Sequence, residues 1–376
     1  MQIREVEPCL SSSWNSRREE ILPRLASFSR APAHIWQENG LTAHELNEAI
    51  RHWTEFDFFS FERRISELHH YNLDISEQNL HFVRVRSEKS GATPVLFLHG
   101  WPGSFLETVQ IANFMTEQGD AAPDFDCICP SLPGFAFSTP LTTAPTVSTM
   151  TEQLLELMTM LGHEQFYLHG GDWGSVLAQS LAARSPERVR GVHLSFIPTP
   201  PPDAATFSGD DQERAENMRV YMKQRAPYWL VQSDTPDTLG LALNDSPVGL
   251  LSWLGDRFLR WTDERLPTAF QALVETATLY WCTSCAGTSA HIYHANRRMN
   301  RLALPRTPVG VAVMPRDLVL PIKALAERRF NIRRWTEFEK GGHFPGFEVP
   351  QRVANDLKTF IGEIENAGIR RDSQDR

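Results

Sequence analysis

Asp172 sits at the centre of Gly170-Gly171-Asp172-Trp173-Gly174-Ser175, with a glycine two positions to either side and an apolar run, Phe166 to Leu168, just ahead of it. Small residues at those positions suit a sharp strand-to-helix turn, which leaves no room for side chains. A carboxylate on such a turn is ionised at neutral pH and needs no base before it attacks. The ester it would form has a carbonyl open to water, so Asp here suits displacement at an alkyl carbon better than acyl transfer. An Asp in a turn also serves as a helix N-cap, and the hexapeptide alone does not separate the two readings. Ser175, three residues past the apex, falls inside the following helix.

Three further groups bear on the same chemistry. His99-Gly100-Trp101-Pro102-Gly103-Ser104 follows the buried run Pro94 to Leu98, where the backbone N–H of Trp101, paired with that of Trp173, can face charge developing on an oxygen. Taken alone, His-Gly-x-Pro is a turn selected for its Gly and Pro. Asp317 lies immediately past a buried strand, and His343 lies in Gly341-Gly342-His343-Phe344. A helix at 322–330 and a strand at 332–338 fit between them, which puts both on loops at one edge of a sheet. A carboxylate there accepts from one imidazole nitrogen and leaves the other free as a base for water. By itself His343 reads as a satisfied loop histidine; with the other groups it reads as a base.

Cys282 and Cys285 with His291 and His294 imitate metal-ligand spacing. The interval between the pairs is too short for the usual zinc loop and no further cluster supports it, so neither a metal nor an organic cofactor is expected. Cys127 and Cys129 alternate along a buried strand and are packing residues.

The elements that must hold these groups follow from periodicity. Residues 1 to about 75 read as helical and rich in aromatics (Trp36, Trp53, Phe56, Phe58, Phe59, Phe61), an arm rather than a domain. Leu80 to Val85 alternates like an edge strand, and buried-strand runs follow at Pro94–Leu98, Phe125–Cys129, Phe166–Leu168, Val192–Phe196 and Val309–Met314. Helical stretches separate them, the clearest from Thr149 to Leu161, with a capping-box pattern at Thr149 and Glu152. This alternation predicts an α/β fold, a mostly parallel central sheet with helices on both faces. From Pro198, with Pro200, Pro201 and Pro202, to about Pro305 the strand rhythm stops and a helical insertion, or lid, is expected. The strand-helix rhythm then resumes and ends in a helix at 350–364 with a frayed tail from Asn366. The divisions are an arm packing on the core at 1–78, core at 79–197, lid at 198–305 and core again at 306–376.

At 376 residues, 41% hydrophobic and 22% charged, the chain has an ordinary soluble composition and enough length for a sizeable core. A net charge of -9 without basic runs argues against nucleic acid or an anionic membrane as partner. Five cysteines imply no disulfide framework and a cytoplasmic setting. The N-terminal stretch is broken by Arg17, Arg18, Glu19 and Glu20, unlike a signal peptide, and no membrane span or anchor is expected.

Oxyanion loop, nucleophile turn, late acid and final histidine stand in the chain order of an α/β-hydrolase site. Taken with the segments Pro94 to Phe105, Gly170 to Ser175, Leu243-Asn-Asp-Ser-Pro-Val-Gly-Leu250 and Gly341 to Phe344, the chain resembles the α/β-hydrolase epoxide hydrolases of the microsomal and juvenile-hormone type over roughly Phe56 to Ile364. The resemblance implies Asp172 as nucleophile, His343 as base and Asp317 as the supporting acid. It also implies two lid tyrosines that donate to the epoxide oxygen, matched by Tyr228 and Tyr293; Tyr221 and Tyr280 are the nearby confounders. Residues 1 to about 50 fit the family's arm poorly, and His291 and His294 are unexpected neighbours of Tyr293 that could tune its acidity or line the pocket.

The reaction implied is hydrolysis of a small hydrophobic epoxide to a vicinal diol through an ester on Asp172, with water as the second substrate. Two rivals share the fold: a haloalkane dehalogenase, which would use Trp101 and Trp173 to hold halide, and a non-catalytic ligand-binding α/β-hydrolase fold. The sequence sets neither the physiological substrate nor the oligomeric state, and it leaves a homodimer open.

Overall fold

The computed structural model describes residues 3–7, 11–28, 40–87, 91–117, 124–199, 207–224, 227–264, 266–298 and 304–374. Trp36 and prolines 200–202 lie outside them. In chain order the elements are β1 (Arg4–Val6), α1 (Ser12–Ala26), α2 (Ala43–Thr54), α3 (Phe58–Ser66), β2 (His70–Ile75), β3 (Gln78–Arg86), β4 (Thr93–Leu98), α4 (Phe105–Thr116), β5 (Phe125–Pro130), α5 (Val147–Met160), β6 (Phe166–Gly170), α6 (Asp172–Arg184) and β7 (Val189–Leu194). Six helices follow: α7 (Asp210–Gln224), α8 (Pro227–Asp234), α9 (Pro236–Asp245), α10 (Pro247–Trp261), α11 (Ala269–Thr283) and α12 (Ala286–Ala295). The chain then closes with β8 (Leu304–Val313), α13 (Lys323–Glu327), β9 (Phe330–Glu337), α14 (Pro345–Glu348) and α15 (Pro350–Gln374).

The described strands form one sheet in the order β1-β2-β3-β5-β4-β6-β7-β8-β9. The first three pairings are antiparallel and the rest parallel. The order reverses at β4: the chain steps one way to β5 and the other way to β6. Right-handed crossovers then put α4 and α5 on opposite faces. Accordingly α4 packs with α15, and α5 packs with α6. Strands β4, β5 and β6 are nearly or wholly buried, as continuous apolar runs between two helix layers must be.

Several sequence expectations are corrected here. The alternating segment at β3 is not an edge strand, because β2 covers its outer side and β1 extends the sheet further. Residues 70–75, read as helical, are strand β2. Helix α5 begins two residues earlier than expected: Thr146 is its N-cap and accepts from the Thr149 N–H, so Thr149 is the capped residue and not the cap. The tail expected to fray from Asn366 stays helical to Gln374.

The arm meets the sheet through β1 and β2, whereas helices α1 and α2 pack on α10 and α11 of the insertion. The Trp53 indole donates to Thr278 Oγ1 at 2.9 Å, and the Trp281 indole donates to the Arg17 carbonyl at 2.7 Å. The Arg17 guanidinium lies 3.7 Å from the Trp281 ring centre.

Candidate active site

Asp172 opens α6 directly after β6, with Gly171 as N-cap, so the helix-cap reading of Asp172 is displaced by one residue. Its φ is +47°, a left-handed conformation that L residues rarely adopt and that functional turns retain. Close packing explains the glycines. A Cβ on Gly100 would run into the Asp172 side chain, and one on Gly174 would run into the carbonyl oxygen of Leu98. Ser175 lies inside α6 and is buried.

The loop after β4 reaches the same carboxylate: the Trp101 N–H donates to Asp172 Oδ1 at 2.8 Å. Trp173, at the second position of α6, has a backbone N–H that the helix ladder leaves without an intrahelical partner. His99 braces the loop, accepting from the Leu132 N–H at Nε2 and bonding the Gly100 carbonyl through Nδ1. Burial lowers its pKa to about 4, which keeps it a neutral strut.

Asp317 follows β8 and His343 follows β9, and the His343 Nδ1 donates to Asp317 Oδ1 at 2.7 Å. On its other side, His343 Nε2 lies 3.5 Å from Asp172 Oδ2, too far for a good hydrogen bond, and no described group partners it. Burial of the imidazole disfavours its charge, but Asp317 and Asp172 outweigh this and raise its pKa to about 10. The buried Glu348 carboxylate fixes the histidine loop by accepting from the N–H groups of Gly342, Phe344 and Asp263.

Tyr228 on α8 and Tyr293 on α12 are buried beside these groups. Their rings meet edge to face at 5.8 Å; Tyr228 stacks on Trp101 at 5.4 Å and Tyr293 meets Trp173 edge-on at 5.2 Å. Burial pushes both phenols well above the usual range, and the nearby Asp172 charge adds to it.

The α/β-hydrolase fold model matches residues 93–350, and an "Epoxide hydrolase N terminus" model matches residues 13–108. A Stigmatella aurantiaca protein named "Putative epoxide hydrolase" is 32% identical over 352 residues, covering 89% of this chain and 79% of the relative. The chain belongs to the α/β-hydrolase epoxide hydrolase family. Epoxide hydrolase 1 of Sus scrofa is 29% identical, with 87% of this chain and 81% of the relative aligned. The structure of Aspergillus niger epoxide hydrolase superposes with a TM-score of 0.86 at 27% identity, covering 97% of each chain. Neither rival reading gains support from these relatives.

The epoxide hydrolase arm model begins at residue 13, so the poor fit expected for residues 1 to about 50 is corrected for most of that span. His291 and His294 turn away from the site. His291 pairs with Asp237 at 2.8 Å and His294 Nδ1 donates to the Ser233 carbonyl at 2.7 Å, because one or two positions along a helix point to other faces than Tyr293. Of the confounders, Tyr280 donates to the Gly103 carbonyl at 3.0 Å and is structural. Tyr221 interacts with the Tyr228 hydroxyl and so belongs to the site's edge.

Two residues escaped the sequence reading. Arg257 on α10 lies 4.9 Å over the Tyr228 ring, and its charge opposes the upward shift of that phenol. Glu107 on α4 lines a small cavity with Asp172 and His343. Its place three residues after the N-cap Ser104 looks like a capping box, which hides it; its carboxyl instead accepts from the Gly346 N–H at 3.3 Å.

Proposed function

We propose that this chain opens an epoxide to a vicinal diol through a covalent ester on Asp172. The observation that carries the reading is one carboxylate set between a buried His343–Asp317 pair and two buried tyrosines. In the first step the Asp172 oxygen not held by Trp101 attacks an epoxide carbon. The new C–O bond forms as the ring C–O bond breaks, and the departing oxygen takes a proton from Tyr228 or Tyr293. The raised pKa of both phenols keeps them protonated until a strong base, the nascent alkoxide, arrives.

In the second step His343 deprotonates water, which attacks the ester carbonyl carbon of Asp172, while the N–H groups of Trp101 and Trp173 hold the oxyanion. Alkylation itself prepares the base. It removes the Asp172 charge that helps raise His343 to about 10, so the imidazole pKa falls and its neutral form becomes available. Collapse of the oxyanion breaks the ester bond, and the leaving diol oxygen takes the proton back from His343; the proton His343 gave up on alkylation and the one left on the Asp172 carboxylic acid then restore the tyrosine hydroxyl and the charged His343, leaving Asp172 ionised again.

Helices α7 to α12, within 198–305, act as the lid; the two core segments, 79–197 and 306–376, supply nucleophile and base, and the arm at 1–78 braces the lid. The ring cage of Trp101, Trp173, Trp229, Tyr228 and Tyr293 favours a small hydrophobic epoxide. The buried thiols of Cys127, Cys129 and Cys285 form no disulfide, in keeping with a cytoplasmic setting. Among the described residues no helix is long and apolar enough to cross a membrane.

Single-turnover reaction of styrene oxide in heavy-oxygen water tests the mechanism. Label enters Asp172 and is absent from the first diol; label appearing directly in that diol rules out the ester. Halide release from a bromoalkane without diol formation from styrene oxide would reverse the choice of substrate class.

A further inference from the structure

Ring opening moves one negative charge. It leaves the Asp172 carboxylate, crosses the epoxide and, once a tyrosine has given up its proton, rests on that phenolate. Both lid phenols are buried, where an uncompensated charge is costly. Their surroundings differ. Tyr293 accepts a hydrogen bond from the Trp173 side chain, a neutral donor. Tyr228 has a cation: the guanidinium carbon of Arg257, on α10, lies 4.9 Å from its ring centre. The same guanidinium lies 5.4 Å from the ring of Trp261, which meets the Tyr228 ring at 5.3 Å and the His343 ring at 5.1 Å. Arg257 is thus built into the aromatic wall of the site, with its side chain only 16% exposed.

We propose that Arg257 is a positioning residue that makes Tyr228, and not Tyr293, the proton donor to the epoxide oxygen, by stabilising the phenolate left behind. As the ring C–O bond breaks, the Tyr228 O–H bond breaks with it and a new O–H bond forms on the departing oxygen. The electron pair stays on Tyr228. A phenolate spreads its charge into the ring, so a cation over the ring face lowers the energy of the charged form. Arg257 gains and loses no proton. Burial lowers its pKa, with the Tyr228, Tyr293 and Tyr221 phenols opposing, but a guanidinium remains charged. Asp256 pairs with Arg257, and the field that reaches Tyr228 still opposes the upward shift of its phenol. Alkylation acts in the same direction. Burial keeps both phenols high and the charges of neighbouring Tyr and of Asp172 add to it, yet the Asp172 charge is consumed as the ester forms while that of Arg257 persists. This inference rests on the ester mechanism proposed above, and its test separates the two.

The test follows alkylation alone, in a His343→Gln background where the ester is trapped. Intact-protein mass with styrene oxide identifies the ester, and stopped-flow tryptophan fluorescence gives its rate of formation. Absence of ester there overturns the ester mechanism itself and this proposal with it; the outcomes that follow bear on the proposal alone. Arg257→Met keeps the stem and removes the charge, and alkylation slows about 10- to 100-fold, part of what a positioned proton donor contributes. Arg257→Lys keeps the charge and recovers most of the rate. The loss depends on one hydroxyl: Arg257→Met costs nothing further in Tyr228→Phe and its full factor in Tyr293→Phe, a coupling that lost packing does not produce. Should Met prevent folding, Arg257→Gln is read in the same way. Alkylation as fast as in the His343→Gln parent, an equal loss in Tyr228→Phe and Tyr293→Phe, or Arg257→Lys as slow as Arg257→Met overturns the proposal.

Discussion

His343 shows how one residue's acidity can follow the state of another. Its imidazole is charged over the whole neutral range because two carboxylates face a buried ring. A folded-state pKa raised from an ordinary 6.5 to about 10 makes a contribution to stability that is complete below about 6.5 and lost as pH rises through about 10. Asp172→Asn removes one of the two charges, and Asn tolerates the positive φ of that turn. We expect NMR titration of the ring nitrogens to give a His343 pKa below about 10 in Asp172→Asn, and the variant to form no diol. Its denaturation midpoint should also fall less than that of the wild type between neutral and alkaline pH. At this scale the sequence identified Asp172, His343, Asp317 and both tyrosines as candidates. It did not identify Glu107 or Arg257, because their types and spacings are those of ordinary helix residues and only three-dimensional neighbours distinguish them.

At the scale of elements, the turn between β6 and α6 is the part most tightly specified by sequence. Its glycines are explained by contacts within a few ångströms, and glycine is the one residue type that avoids them all. Gly174→Ala places a methyl group against the carbonyl oxygens of Leu98 and His99, at the root of the oxyanion loop. Overpacking of this kind costs about 1–3 kcal/mol. Denaturant unfolding should show that loss, and steady-state assay should show activity falling with it, since the Trp101 N–H moves when the loop moves. Strands β4 to β8 were legible because buried parallel strands are continuous apolar runs. Element ends were less so: Thr146 and Thr149 are both plausible caps, and the choice between them depends on where the preceding loop leaves the chain. The exposed-looking alternation of β3 misled for a related reason, since alternation reports which face is polar and not whether a neighbouring strand is present.

Across the whole molecule, the arm and the insertion are joined. Residues from α1 and α2 pack on α10 and α11, and Arg260 on α10 pairs with Glu45 on α2, whose pKa is lowered to about 2 chiefly by that arginine. Trp53 is fully buried at this contact. Trp53→Ala should cost about 3–5 kcal/mol, as loss of a buried Trp does. Denaturant unfolding measures it, and limited proteolysis should show new cleavage in the insertion before the core. The sequence by itself determined the α/β class, the chain order of the candidate catalytic groups and the residue at the turn, because these depend on local periodicity and residue chemistry. Tertiary structure alone decided that helices of the arm pack on the insertion, that His291 and His294 face away, and that Glu107 shares a cavity with Asp172. Those outcomes depend on which side chains meet across tens to hundreds of residues, and no local pattern encodes such a meeting.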